Sequence, residues 1–275
     1  MKSSGHKAGE TIVKILLILT YTTPLAWIIL NSLKSDSDVL TKPNTVIFTP
    51  SFEAYNTVFL DGVGAIFTSL QVSLLVTAAV LLLATPTAYA LATKVSHGWN
   101  RVVTATLTLL LILQLVPQPM TVIPLYSVLA TWGLLGTLPG LILADVALFL
   151  PFAIMLLRPF AVSVPTAVYE AAEIDGASRW RAFLSITLPM LRNGMFIVLS
   201  FVFIAAWGEF VYAINFLPHG TVFPVSGVLA QQISVYSVGW NRLMALAVIT
   251  CLPLLAVFMF AQKRLVHGLS LGAVK

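Results

Sequence analysis

Charge is what this chain has least of. Only 9% of its 275 residues are Asp, Glu, Lys or Arg, against about 25% in ordinary soluble domains, while 59% are hydrophobic. So much apolar side chain cannot be hidden inside one globule, which excludes a water-soluble fold. Cysteine is equally scarce: Cys251 has no partner in the chain, so disulfides contribute nothing. No stretch reads Gly, four residues, Gly, Lys, Ser or Thr, so the chain has no phosphate-binding loop and hydrolyses no ATP itself. His6, His97, His219 and His267 are scattered among loops and termini, which leaves no metal or catalytic cluster. Hydroxyls such as Ser69 and Ser73 lie in apolar runs, where they bond their own helix backbone more often than they act as nucleophiles.

What the chain does have is long apolar runs. Windows of about 19 residues, the length that crosses the roughly 30 Å hydrocarbon layer, mark six of them: 15–33, 69–92, 102–124, 138–157, 195–217 and 243–261. Four carry no charge; 138–157 holds only Asp145 and 195–217 only Glu209. None alternates apolar and polar residues as barrel strands do. The expectation is an all-α polytopic membrane protein, six transmembrane helices in one domain over 1–275. The basic opening resembles a secretory leader, but the apolar run is too long and lacks a clear cleavage site, so it reads as a retained first span. With the amino terminus in the cytoplasm, all of the 15 basic residues except Lys34, Lys42 and Arg242 fall on the inner side. That is the positive-inside pattern, and six spans put both termini in the cytoplasm. The net charge of +5 then reflects orientation rather than nucleic-acid binding.

Between spans, the outer segment 34–67 mixes Asp36, Asp38, Glu53 and Asp61 with Pro43 and Pro50, which predicts a structured cap or short helices. Pro86 lies in the second span, and Pro117, Pro119 and Pro124 end the third. Such prolines remove backbone hydrogen bonds and either kink helices for packing or mark backbone that lines a cavity. The outer loop 125–137 is short and uncharged.

The inner segment 158–194 carries much of the charge. Pro165 suits the first turn of a helix, in which Val168, Ala171 and Ala172 share one face and Glu170 and Glu173 another. Gly176 is placed to end that helix in a left-handed conformation. Ser178 can cap a second helix whose apolar face is Trp180, Phe183 and Leu184, with Pro189 as its stop. The result is an amphipathic helical hairpin whose apolar face is buried either on the chain's own spans or on a partner subunit.

Glu170, Ala171, Ala172, Gly176, Ile186, Leu188 and Pro189, at these spacings, match the EAA loop of the permease subunits of bacterial ABC importers at every fixed position. The surrounding Tyr169 and Ile174 to Ser178 resemble the carbohydrate branch, and its maltose-type smaller permease in particular. So do the Asn31, Ser32, Leu33, Lys34 run, the Trp207, Glu209, Phe210 cluster and the tail from Gly268 to Lys275. The resemblance implies a type I importer permease fold in the bacterial cytoplasmic membrane. It implies a heterodimer with a second, related permease, two cytoplasmic ATPase subunits that carry ATP and Mg, and an extracytoplasmic substrate-binding protein. The coupling residues it implies are Glu170, Ala171, Ala172, Asp175, Gly176, Trp180, Arg181, Ile186, Leu188 and Pro189. They seat the loop in a groove of an ATPase and turn its closure into movement of the spans. This chain then binds no cofactor and no metal of its own.

Ionisable groups inside spans are costly in hydrocarbon, which makes Asp145 and Glu209 candidates for the substrate path. Gln114, Gln118, Trp207, Tyr212 and Asn215 add hydrogen-bonding and aromatic surfaces suited to a sugar. Each has a structural alternative: Glu209 can bond a neighbouring helix or the partner permease, Asp145 can reach interfacial water, and Trp and Tyr can anchor helix ends. The outer loop 218–241 is either a plain turn or a segment that enters the docked binding protein. A secondary transporter would need paired broken helices in inverted halves, and an intramembrane enzyme a cluster of His, Asp, Ser or Cys. Within the importer class, an amino sugar, a glycerol phosphodiester, an osmolyte or a peptide are alternative cargoes.

Overall fold

The computed structural model describes residues 4–93, 97–217, 223–233 and 238–273, with side chains for 9–93, 98–217, 223–233 and 238–259. Among these the chain is helical, and the only β pairing is a single bridge between Ile233 and Val238. Five helices are long and apolar enough to cross a bilayer, and a sixth span is formed if the bent pair Arg179–Met190 and Arg192–Trp207 counts as one.

The chain divides into two compact units, Met1–Ala65 with Val228–Pro253, and Ile66–Gly227 with Leu254–Lys275. The first holds α1 (Ser4–Ser32), α2 (Asp36–Thr41), the start of α3 (Glu53–Ala92), the end of α12 (Val225–Gln231) and the start of α13 (Trp240–Ala273). None of the apolar stretch of α1 is buried by the rest of the chain. Three of its four threonines turn inward on their own helix instead: Thr20, Thr22 and Thr23 donate to the carbonyls of Leu16, Ile18 and Leu19 at 2.8, 2.7 and 2.6 Å. α3 and α13 meet through small residues. A Cβ on Gly62 would lie 3.1 Å from Leu246 Cδ1, and Ala65, Ala245 and Leu246 are wholly buried, which is how helices approach closely where no water drives them together.

In the second unit, α3 buries one face: Val72, Ser73, Val76, Thr77, Val80, Ala84 and Ala88 recur at three- and four-residue spacing. α4 (His97–Leu115), α5 (Gln118–Thr131), α6 (Leu138–Val162), α10 (Arg192–Trp207) and α11 (Val211–Phe216) follow. α6 is the core of this unit and packs on α4, α5, α10 and α11. Gly194 lies so close to Phe160 that an added Cβ would sit 2.6 Å from its ring, so α6 and α10 cross there at a point only glycine allows.

Several boundaries differ from expectation. The run 102–124 is not one helix: α4 stops at Leu115, Pro117 has extended ψ, and α5 begins at Gln118. A residue before proline is pushed out of the helical region, whereas Pro119 falls in the first turn of α5, where its missing N–H has no bond to lose. The outer loop expected at 125–137 is therefore shortened, because α5 continues to Thr131. Pro86 and Pro124 interrupt nothing; both lie inside continuous helices. The run 195–217 is broken at 208–210, between α10 and α11. The second span extends well beyond 69–92, since α3 has 40 residues. Segment 34–67 contains α2 and the start of α3, and 218–241 contains α12, with 218–222 and 234–237 outside the described residues.

Candidate functional site

The hairpin begins later than 158, because α6 continues through Arg158 to Val162. Arg158 turns back along the helices and donates its Nε to the Leu91 carbonyl at 3.1 Å. α7 (Thr166–Ile174) follows, with Pro165 as its cap. Its end is a Schellman closure: Ala177 N–H reaches the Ala172 carbonyl at 2.8 Å and Gly176 N–H the Glu173 carbonyl at 3.0 Å. Gly176 has φ of 74°, the left-handed value that closure needs. Ser178 then caps α8 (Arg179–Ala182), its hydroxyl accepting from Arg181 N–H at 3.3 Å.

Pro189 does not stop this second arm. A π turn at Phe183–Thr187 leads into α9 (Leu188–Met190), and the direction changes by 71° only at Leu191, where α10 begins. A π turn replaces the i to i−4 bonding that a proline ring obstructs, so the wider turn accommodates Pro189. The expected apolar face is also divided. Phe183 is buried, but Trp180 is 65% exposed and Leu184 is exposed as well. In α7, Ala172 is buried and Val168 half-buried, while Ala171 joins Glu170 on the open side.

The buried side of the hairpin is aromatic. Phe183 lies 5.1 Å from Tyr89 near the end of α3 and 5.4 Å from Trp180, and Tyr169 lies 6.0 Å from Tyr89. The Tyr169 hydroxyl shares a 3.1 Å hydrogen bond with Thr187 Oγ1, and Thr187 is fully buried in the π turn. The two arms are thus pinned to each other and to α3. The outer side is bare: Glu170, Ala171, Asp175, Gly176 and Arg181 are exposed, with Ile174 at 87% beside them. Ile186 and Leu188 are half-buried and Pro189 is exposed.

The seven candidates for a path do not form one constellation. Glu209 sits in the break at 208–210 and is buried, with both carboxylate oxygens engaged by protein. Its carboxylate accepts Tyr212 N–H at 2.8 Å, Ala213 N–H at 3.0 Å and Gln118 Nε2 at 2.7 Å, while Ser226 Oγ donates to its carbonyl. The Tyr212 hydroxyl pairs with Thr121, and its ring stacks on Phe216 at 5.0 Å. Trp207 is buried against Phe203. Asn215 bonds back to the Val211 carbonyl, and Gln114 is exposed on α4. Asp145 is different: it is wholly buried in α6, and neither carboxylate oxygen has a partner among the described residues. The side chains of the four histidines lie outside the described residues.

Tyr89, Thr121, Thr187 and Ser226 carry contacts that sequence reasoning passed over. Only the spacing of aromatic residues at a span end hinted at Tyr89; Thr121 and Gln118 find partners 91 residues away.

Apolar helices long enough for a bilayer, a span interrupted at a buried acid, and an amphipathic hairpin between spans define an integral-membrane permease. Residues 84–271 match the binding-protein-dependent transport system inner membrane component family, and the chain belongs to it. It is therefore a multi-pass protein of the bacterial cytoplasmic membrane and the permease subunit of such a system. It is 34% identical to the diacetylchitobiose uptake system permease protein NgcG of Streptomyces coelicolor, over 99% of this chain and 91% of that one. It is 26% identical to the arabinooligosaccharides transport system permease protein AraQ of Bacillus subtilis, over 99% and 97%. The fold is shared with a chain from the crystal structure of a bacterial ABC transporter involved in the import of the acidic polysaccharide alginate. The TM-score is 0.79 at 18% identity, covering 96% of this chain and 98% of that one.

Proposed function

We propose that the chain forms, with a second related permease, the path by which a carbohydrate enters the cytoplasm. An external binding protein delivers the cargo, and two ATPase subunits supply ATP and Mg chemistry while gripping the inner hairpin. Both termini then lie in the cytoplasm, and residues 1–275 act as one transmembrane domain. The observation that carries the reading is the open side of the hairpin, where Ile174 and Trp180 are bare among Glu170, Asp175 and Arg181. Large apolar side chains beside charges suit a groove on another protein better than water or lipid. Carbohydrate cargo is supported by the names of NgcG and AraQ. In the path, Asp145 is the buried candidate with both carboxylate oxygens unpartnered among the described residues and so open to a sugar hydroxyl; Gln114, Gln118, Trp207, Glu209, Tyr212 and Asn215 are the other path candidates.

Purifying the tagged protein from membranes should bring down an ATPase and a second permease. The cognate binding protein should retain a mono- or oligosaccharide. Recovery of the chain alone, still able to transport, would sink the subunit reading; a binding protein that retains a peptide would move the cargo elsewhere.

The aromatic cluster gives a finer expectation. Tyr89→Ala removes the ring that joins both arms of the hairpin to α3, so transport should fall by about fivefold while insertion is unchanged, a loss near 1 kcal/mol of coupling. Tyr89→Phe keeps the ring contacts and should transport normally. Uptake measured in both variants decides this: equal loss in the two would rule out stacking as the link.

A further inference from the structure

Between α4 and α6, which pack on each other, lies a groove of about 300 Å³. Leu107, Thr108 and Leu111 of α4 form one wall, and Met155, Arg158 and Pro159 of α6 the other. Thr108, Leu111 and Pro159 are exposed, so the groove opens away from the two helices. Its size is at the lower end of the range for small-molecule sites, and its side chains are apolar except for one hydroxyl and one guanidinium.

Arg158 is half-buried and only partly used by protein. Its Nε caps the last turn of α3 through the Leu91 carbonyl at 3.1 Å. A guanidinium has five N–H donors, and the four on its terminal nitrogens have no protein partner among the described residues. No acid on either helix neutralises it: α4 carries no Asp or Glu, and the one acid of α6, Asp145, is about 20 Å back along the helix. On α4, Arg101 shares the face of Thr104, Thr108 and Leu111, about 10 Å from Thr108. Because α4 begins at His97, soon after α3 ends at Ala92, Arg101 stands at the same end of the groove as Arg158. An apolar groove thus has two cations at one end.

Depth and charge together select the occupant. Arg158 lies about 30 Å along α6 from Leu138, which is the thickness of the hydrocarbon layer. Its guanidinium is therefore at the level of lipid headgroups, while Met155 and Leu111 lie deeper, among acyl chains. Phosphate oxygens accept guanidinium donors in pairs, and basic pockets between spans suit acidic headgroups. The ammonium of a zwitterionic lipid would find two cations here and no acid.

We infer that the groove between α4 and α6 binds one anionic phospholipid, with Arg158 and Arg101 holding its phosphate and Leu107, Leu111 and Met155 against an acyl chain. The inference requires only that the chain spans a bilayer, and it holds whichever way the chain faces.

The test uses the assembled transporter purified in mild detergent, with dioleoylphosphatidylglycerol added in steps and native mass spectrometry counting the lipids retained per complex. Half-retention should need at least about fivefold less phosphatidylglycerol than phosphatidylcholine, and Arg158→Gln should raise the phosphatidylglycerol requirement about fivefold, the value of one basic group near the headgroups. Because Arg158→Gln also disturbs the cap on α3, Thr108→Trp is the second variant: it leaves both arginines in place, fills the groove and should lose one retained lipid relative to wild type. Equal retention of the two lipids by wild type, or a wild-type lipid count in Thr108→Trp, overturns the inference. So does a wild-type complex that retains no lipid, the result expected if another subunit covers the groove.

Discussion

Replacing Gly176 with valine is expected to cut transport by about tenfold or more while the spans remain inserted and the thermal midpoint hardly moves. Gly176 has φ of 74°, and no atom lies within 4 Å of where a Cβ would be placed. The penalty is thus conformational and confined to the corner. A β-branched residue forced into left-handed backbone costs about 1–3 kcal/mol, and the corner avoids it by opening. Opening breaks the Schellman bonds at Ala172 and Glu173 and swings α7 relative to α8. The surface proposed to meet an ATPase is then misaligned, although the spans are unchanged. Gly176→Asn should retain most activity, since asparagine tolerates this region. Glu170→Lys tests the same surface from another side, because Glu170 is exposed and its charge reversal disturbs no contact within the chain. ATPase stimulation and uptake, measured together, check this. Full transport in both Gly176→Val and Glu170→Lys would mean that the hairpin is not the coupling joint.

Removing Glu209 should have the opposite character, a loss of stability rather than of coupling. Glu209→Ala leaves the N–H groups of Tyr212 and Ala213 and the amide of Gln118 without their acceptor. A buried donor left unsatisfied costs about 1–3 kcal/mol, so the combined loss is on the order of 3 kcal/mol or more. The thermal midpoint in detergent should fall by about 6–12 °C if the usual scaling for domains of 150–250 residues holds. Glu209→Gln keeps one acceptor oxygen and should lose less. Asp145→Asn is the internal control: the native carboxylate has no hydrogen bonds to lose, so its midpoint should not drop. A midpoint for Glu209→Ala within a degree of wild type would show that the broken helix is held by something else.

These two positions also show how far the sequence could be read. The hairpin corner was legible because its signals are local: a glycine at a helix end, a serine three residues before the N–H it caps, and a fixed spacing of motif residues. The spans were legible for a similar reason, since hydropathy is a property of contiguous residues. Glu209 could be singled out as an acid in hydrocarbon, but not as the acceptor that bridges a helix break, because Gln118 is distant in the chain. The break at Pro117 needed the backbone itself, as six of the chain's other prolines, including Pro86 and Pro124, sit inside continuous helices. The π turn before Pro189 has no sequence signature at all. Phe183 is buried and Trp180 is exposed even though their rings stay 5.4 Å apart.

The bare surface of α1 has a consequence for biosynthesis. Among the described residues this helix precedes every other span and owes none of its apolar burial to them, and its threonine hydroxyls are satisfied within one turn. These threonines therefore leave no unmet hydroxyl while the segment waits in lipid. It can leave the translocation machinery as soon as it is made, before the downstream helices exist. Its end is tied to α3 through Ser32 and Tyr55, while its bare apolar face is left for lipid or another subunit to cover.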